Sequence, residues 1–346
     1  QPTLPSYQFG DDERVLRQKV WEGATHRYGE NLGDKHTRQI EHELGVIIRL
    51  DLAGYFLIVS DIVEYARNRE ILVQGRGSAA NSAVCYCLGI TAVDPIGMEL
   101  LFERFLSEGR SDPPDIDIDI AHMQREEVLQ YVYRKYGRRH AAMVCTTITW
   151  RGKSAIRDVA RVLGLTSEES ARLANQAGRS EADEAADLLQ KGGVQAAGLD
   201  PNNRRVRMLV DTVRRLTRLP RHRSIHTGGF VLSAEPLDTL VPIEQASMQD
   251  RTVIQWDKDD LGPAGLVKID LLGLGALTLI HKTLQEIRVG RGREIELNAI
   301  PTDDPQVYEM LGRADTVGLF QVESRAQMNT LPRLRPSTFY DLVVQI

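Results

Sequence analysis

The segment that most constrains this chain is Pro114-Asp115-Ile116-Asp117-Ile118-Asp119-Ile120, in which acids and isoleucines alternate without a break. A period of two is that of a β-strand, so the three carboxylates share one face and the three isoleucines the other. The isoleucine face needs a packed layer over it, and the acidic face needs neutralising. Carboxylates two residues apart repel and raise one another's proton affinity unless a cation lies between them. Magnesium, a hard ion that takes oxygen ligands, suits that position, and two such ions on shared carboxylates serve phosphoryl transfer. An acidic edge strand facing water has the same pattern.

Two further segments bear on the choice. Upstream, the apolar run Ile71-Leu72-Val73 leads into Gly75-Arg76-Gly77-Ser78 and then into helix-prone residues 79–88, closed by Gly89. This predicts strand, glycine turn and helix. Glycines let backbone amides approach an anion, the helix would offer its positive N-terminus, and Arg76 and Ser78 add donors suited to a triphosphate. The lysine and spacing of a P-loop are absent, and a tight structural turn would read the same way. Downstream, Leu266-Val267-Lys268-Ile269-Asp270 alternates again and sets Lys268 and Asp270 on one face, as a surface strand also would. A Gly-Ser turn opening a helix, an Asp-x-Asp strand and a third aspartate on a separate strand together form the general layout of a nucleotidyltransferase palm. That combination is more specific than any member of it.

Around these segments the periodicity is mostly helical. Ile40, Leu44, Ile47 and Ile48, then Val59, Ile62, Val63 and Ala66, predict two helices within residues 38–69, and residues 126–136 predict another. Ile156, Val159, Val162 and Leu163 mark an amphipathic helix ended by Gly164, and Thr166 with Glu169 forms a capping box for the next. Helical signals continue to about residue 223; strand signals return at 229–233, 252–256 and 266–270, before helix-like 276–287. The expectation is an α/β domain interrupted by a helical insertion.

The 346 residues, 42% of them hydrophobic, suffice for two or three domains. A formal net charge of −5 argues weakly against a nucleic-acid binder, but the charge is uneven. Arg204, Arg205, Arg207, Arg214, Arg215, Arg218, Arg221 and Arg223 lie among only Asp200 and Asp211, and Arg151, Lys153, Arg157 and Arg161 form a second basic stretch. Solvated helix faces also carry such runs. Cys85, Cys87 and Cys145 are too few for a disulfide framework and have no histidines at zinc spacing, so they read as buried thiols. No run has the apolar length of a membrane span and the first residues lack a signal-peptide pattern, so a cytoplasmic protein with no membrane partner is expected.

The motifs Gly75-Arg-Gly-Ser-Ala-Ala-Asn-Ser-Ala-Val-Cys-Tyr-Cys-Leu-Gly-Ile-Thr91, Glu103-Arg-Phe-Leu106, Pro114-Asp-Ile-Asp-Ile-Asp119, Ile225-His-Thr-Gly-Gly229, Gln255-Trp-Asp-Lys-Asp-Asp260, Val267-Lys-Ile-Asp-Leu-Leu-Gly273 and Phe320-Gln-Val-Glu-Ser324 occur in this order. In sequence and order they resemble the motifs of the bacterial C-family DNA polymerases, the DNA polymerase III alpha subunits. Asn81-Ser-Ala-Val-Cys-Tyr-Cys87 and Pro113-Pro114 are more similar to the error-prone, damage-inducible branch than to the replicative one.

The resemblance implies a nucleotidyltransferase-type palm with a mixed sheet over 1–146 and 225–275, an inserted all-helical thumb over 147–224, and a truncated helical fingers segment from 276. It implies that Asp115, Asp117 and Asp270 hold two Mg2+ ions, with Asp119 in support. Arg76, Gly77 and Ser78 would meet the nucleotide phosphates, and Arg104, Arg110 and Lys268 would surround the triphosphate with positive charge. The thumb residues Arg151, Lys153, Arg157, Arg204, Arg205, Arg207, Arg214, Arg215, Arg218, Arg221 and Arg223 would contact DNA phosphates. The implied partners are primer-template DNA and a dNTP, with a sliding clamp and accessory mutagenesis proteins for the full-length polymerase. Residues 339–346 show no turn or cap, so the fingers are expected to be unfinished and the chain to be weakly active or inactive alone.

Overall fold

The computed structural model describes residues 11–30, 32–107, 114–295 and 300–345. Three helices come first: α1 (Asp12–Tyr28), α2 (Asp34–Arg49) and α3 (Ala53–Asn68). In α3 every residue from Tyr55 through Val63 is buried, so this helix is core on all sides rather than amphipathic. Strand β1 (Val73–Arg76) follows, then a 3-10 turn over Gly77–Asn81 and the short α4 (Ala83–Cys87). One helix was expected over 79–88, and two pieces form because side chains intervene. Asn81 donates to the Ser78 carbonyl at 2.9 Å, and Ser82, in extended conformation, accepts from the Cys85 amide to start α4 afresh. Gly89 closes it at a φ of +73°, as expected.

Next come β2 (Asp117–Ala121), α5 (Arg125–Tyr136), β3 (Ala141–Thr149), α6 (Gly152–Val162), α7 (Ser167–Gln176), α8 (Ala182–Leu188), α9 (Val194–Ala196) and α10 (Arg204–Arg215). The chain continues through β4 (Pro220–Leu232), β5 (Ile243–Gln245), β6 (Thr252–Asp257), β7 (Val267–Leu274), α11 (Gly275–Arg291), α12 (Pro305–Gly312), α13 (Arg325–Leu334) and α14 (Phe339–Gln345). Among the described residues the strands form one sheet in the order β1-β2-β7-β4-β3-β6-β5. It is mixed: β2 and β7 are parallel, while β1 with β2, β4 with β7 and β5 with β6 are antiparallel. The α/β architecture with a mixed sheet is as expected.

Two compact units divide the chain, one comprising 1–143, 227–254 and 259–346, the other 144–226 with 255–258. In the first, Ile116, Ile118 and Ile120 are fully buried, and α3 packs against α1, α5 and β1. In the second, an alanine-rich core of Ala155, Ala160, Ala174, Ala182, Ala185 and Ala186 lets helices close tightly around Ile156, Leu173, Leu209 and Val213. The Thr166–Glu169 capping box forms in full.

Three expectations need correction. The insertion is helical from Gly152 to Arg215, yet β3 runs on to Thr149 and β4 starts at Pro220, so strands bound it inside the range expected to be all helix. Strand β3 itself was not picked out, although Val144, Thr146, Thr147, Ile148 and Thr149 have the β-branched composition of one. The start of α14 is capped: Asp341 accepts from the backbone amides of Ser337 and Thr338 at 2.8 and 2.9 Å. All three cysteines are buried free thiols, as expected, and burial pushes Cys87 up to about 12.

Candidate active site

Sheet register alone builds the centre of the site. Arg76 on β1 lies opposite Asp117 on β2, Asp117 opposite Asp270 on β7, and Asp270 opposite Gly229 on β4. One row across four strands therefore reads Arg, Asp, Asp, Gly, and Gly229 puts no side chain beside Asp270. Asp119 stands one pleat further, opposite Gln74 and Leu272. Asp115 precedes the first residue of β2, yet its carboxylate, with those of Asp117 and Asp270, offers ligand oxygens all within 4.8 Å of one another.

Two cations attend these acids. Lys268, two residues before Asp270 on the same face, places Nζ 2.6 Å from Asp270 Oδ2 and 3.2 Å from Asp115 Oδ1. Arg76 Nε lies 3.7 Å from Asp117 Oδ2 and 3.4 Å from Asp119 Oδ1. Burial first, and then the charges of Asp115 and Asp270, push Asp117 up to about 6 despite Arg76 and Lys268. Asp119 is also raised, by burial, with Arg76 opposing. Burial works against the charge on Lys268, but its hydrogen bond to Asp270 and the two nearby carboxylates win, and its pKa is raised. The donor set is all oxygen and carries excess negative charge, which fits Mg2+.

Beside this row lies the glycine turn. Gly75 has no room for a side chain, since a Cβ there would come 2.6 Å from the Ile90 carbonyl oxygen. Gly77 has a φ of +69°, which favours glycine, and lies exposed with Ser78 half-buried. The turn that ends in Arg104 packs against the Gly77–Asn81 turn, and Arg104 is exposed there. Arg110 lies outside the described residues, as does Pro113.

The helix after the turn does not offer its N-terminus as expected. Glu43 of α2 occupies that position: its carboxylate accepts from Ser82 Oγ at 2.8 Å, from the amide of Ala83 at 3.0 Å and from that of Val84 at 3.1 Å. Gln39 adds a fourth hydrogen bond, at 2.9 Å. Burial raises the pKa of Glu43 while these hydrogen bonds oppose the rise. Sequence reading missed Glu43, and it picked out Gly229 in a motif without its place opposite Asp270. The signal for Glu43 was present, since a charged residue at 43 interrupts the stripe of Ile40, Leu44 and Ile47.

In the second unit the basic residues fall into two sets. Arg151 pairs with Glu181, Arg214 with Asp187 at 2.7 Å, Arg215 with Asp211 at 3.2 Å and Arg221 with Asp158 at 3.0 Å. Lys153, Arg157, Arg204, Arg205, Arg207, Arg218 and Arg223 are exposed, and no ion pair engages them among the described residues.

Residues 14–273 match the family model of the bacterial DNA polymerase III alpha NTPase domain, and residues 276–346 that of the bacterial DNA polymerase III alpha subunit finger domain. The chain is 54% identical over 339 residues to an error-prone DNA polymerase of Methylococcus capsulatus, covering 96% of this chain and 31% of that protein. It is 52% identical over 343 residues to one from Anaeromyxobacter dehalogenans, covering 96% of this chain and 30% of that protein. With one from Pseudomonas aeruginosa it shares 51% over 338 residues, 97% of this chain and 32% of the relative. It thus spans about a third of the length of these curated relatives. None of the described helices is long and apolar enough to cross a membrane. With family models matching residues 14–273 and 276–346 and relatives at 51–54% identity, the chain belongs to the bacterial DNA polymerase III alpha family.

Proposed function

We propose that this chain carries the catalytic palm of a DNA-directed DNA polymerase, with 147–224 as thumb and 276–346 as the start of the fingers. The observation that carries the reading is the convergence of Asp115, Asp117 and Asp270 within 4.8 Å, flanked by Lys268 and Arg76 and by the Gly77-Ser78 turn. In the reaction the primer 3′-oxygen gives up its proton to solvent water and bonds to the α-phosphorus of a dNTP. The bond from that phosphorus to the β-phosphate bridging oxygen breaks, and pyrophosphate leaves. Two Mg2+ ions, when bound by the three aspartates, supply the Lewis acidity that activates the attacking oxygen and steadies the leaving one.

The chain's own groups divide the remaining work. Lys268 is kept protonated by Asp270 and Asp115, so its charge persists beside the carboxylates, and like Arg76 it turns to a triphosphate only once those oxygens engage another cation. Gly77 and Ser78 give the phosphates an approach free of bulky side chains. Arg76 lies beside Asp117 and Asp119, so meeting a nucleotide phosphate, the role proposed for it, requires it to loosen those contacts. Arg104, on the adjoining turn, is the exposed cation better placed for that task, and Arg110 is proposed on the resemblance alone. So are the sliding clamp and the accessory mutagenesis proteins.

The names of the relatives favour error-prone synthesis, in translesion or repair work. A two-metal nuclease would need the same carboxylates but no cradle for a triphosphate. Pyrophosphate release by the full-length polymerase, assayed with each of primed template, dNTP and Mg2+ omitted in turn, tests the reading. Dependence on all three supports it; DNA cleavage without nucleotide refutes it.

A further inference from the structure

We propose that Tyr55 is a positioning residue for the carboxylate site, holding through its hydroxyl the peptide that joins Asp115 to Ile116. This rests on the polymerase reading above. Tyr55 is wholly buried in α3, and its Oη accepts a hydrogen bond from the amide of Ile116 at 3.1 Å. That amide lies one residue outside the ladder: β2 begins at Asp117, and its registers with β1 and β7 begin with Arg76 and Asp270. Ile116 is itself fully buried, so its N–H needs an acceptor other than water, and the tyrosine supplies one.

The consequence falls on Asp115. Sheet hydrogen bonds on both sides fix the backbone of Asp117, and the same ladder fixes Asp270, but Asp115 precedes the strand and its side chain is 58% exposed. Its carboxylate nevertheless reaches Lys268 and the other two acids. The plane of the peptide between Asp115 and Ile116 sets the direction of the Asp115 backbone, and Tyr55 pins that plane from below. The tyrosine is itself well held: α3 is buried on nearly every side, and the Tyr55 ring meets Phe56 edge to face at 5.9 Å. Burial raises its proton affinity further, so it remains a neutral phenol. A rigid second layer of this kind sets the precision of a ligand that lies outside the sheet ladder.

The test uses the full-length polymerase. Tyr55→Phe keeps the ring and removes the acceptor. It should raise the Mg2+ concentration for half-maximal primer extension by about tenfold and lower kcat by about ten- to a hundredfold, the range for lost support of a metal ligand. Primer-template affinity should stay unchanged. Ile62→Ala, a cavity in the same helix that leaves the Tyr55 hydroxyl in place, should lower the melting temperature without moving the Mg2+ midpoint. An unmoved midpoint in Tyr55→Phe, or an equal shift in Ile62→Ala, overturns the proposal. Asp117→Asn, run in parallel, separates the two readings: if it extends primers like wild type, the carboxylate assignment itself is wrong. Should Tyr55→Phe not fold, hydrogen exchange at the Ile116 amide in the wild-type protein decides. Protection equal to that of β2 supports the proposal, and loop-like exchange overturns it.

Discussion

Asp117 and Asp270 stand directly opposite one another across the parallel pair β2 and β7, two like charges in one register. Such a pairing destabilises a sheet unless something bridges it. Replacing Asp117 by asparagine should therefore raise the melting temperature of the metal-free protein while lowering primer extension at least about a hundredfold, with duplex binding retained. Asp270→Asn should act in the same direction on turnover. Thermal melts without Mg2+ beside steady-state extension would check both halves, and a variant that loses stability and keeps activity would contradict the assignment.

The proton affinity of Asp117 gives a pH dependence with a definite sign. Its folded-state pKa of about 6 lies above the ordinary carboxylate value of about 3.9. The folded chain thus holds an extra proton between these values, and this group's contribution to stability falls as pH rises through that window. Above it the repulsion is fully present and a divalent cation relieves it. Mg2+ should accordingly raise the melting temperature more at about pH 7.5 than at about pH 5, and Asp117→Asn should shrink that difference. Equal Mg2+ stabilisation at both pH values would contradict it.

Glu43 predicts a loss of stability. Glu43→Ala leaves Ser82 Oγ and the amides of Ala83 and Val84 buried without their acceptor. Removing a buried charged acceptor from several donors should cost about 2 to 4 kcal/mol in chemical denaturation. Glu43→Gln, which keeps one carbonyl oxygen, should cost less. An alanine variant as stable as wild type would mean that water satisfies the start of α4.

How legible these features were depends on whether their cause is local. Strand β2 was readable because alternation is a local signal, and so were Lys268 and Asp270 on their own strand. The convergence of Asp115, Asp117 and Asp270 follows from the parallel register of β2 with β7, whose residues lie some 150 positions apart in the chain, and no local pattern states a register. The same holds for Glu43, whose partners at 82–84 are set by the packing of α2 on α4. For Tyr55 the signal was weaker still, because one phenol in a continuous apolar run looks like any other core residue. Arg76 was legible as part of the glycine turn, whereas its contacts to Asp117 and Asp119 depend on the register of β1 with β2 and were not.

The basic residues of the second unit give the remaining prediction, and their ion pairs divide them into two sets. An arginine already facing a carboxylate brings little net charge to DNA, whereas an exposed one with no such partner can release a counterion for each phosphate it meets. On α10 the exposed arginines without an ion pair among the described residues are Arg204, Arg205 and Arg207, while Arg214 and the equally exposed Arg215 pair with Asp187 and Asp211. Arg214 also donates to Gln190 at 2.9 Å, so it ties α10 to the preceding segment. Substituting glutamine at 204, 205 and 207 in the full-length polymerase should weaken binding to all primer-templates alike. It should also lower the slope of log affinity against log salt by about two to three units, close to one per lost phosphate contact. Arg214→Gln should instead lower the melting temperature and leave the salt slope nearly unchanged. Affinity titrations at four or five salt concentrations would separate the two sets, and equal slopes in both variants would mean that the exposed arginines of α10 meet solvent rather than DNA.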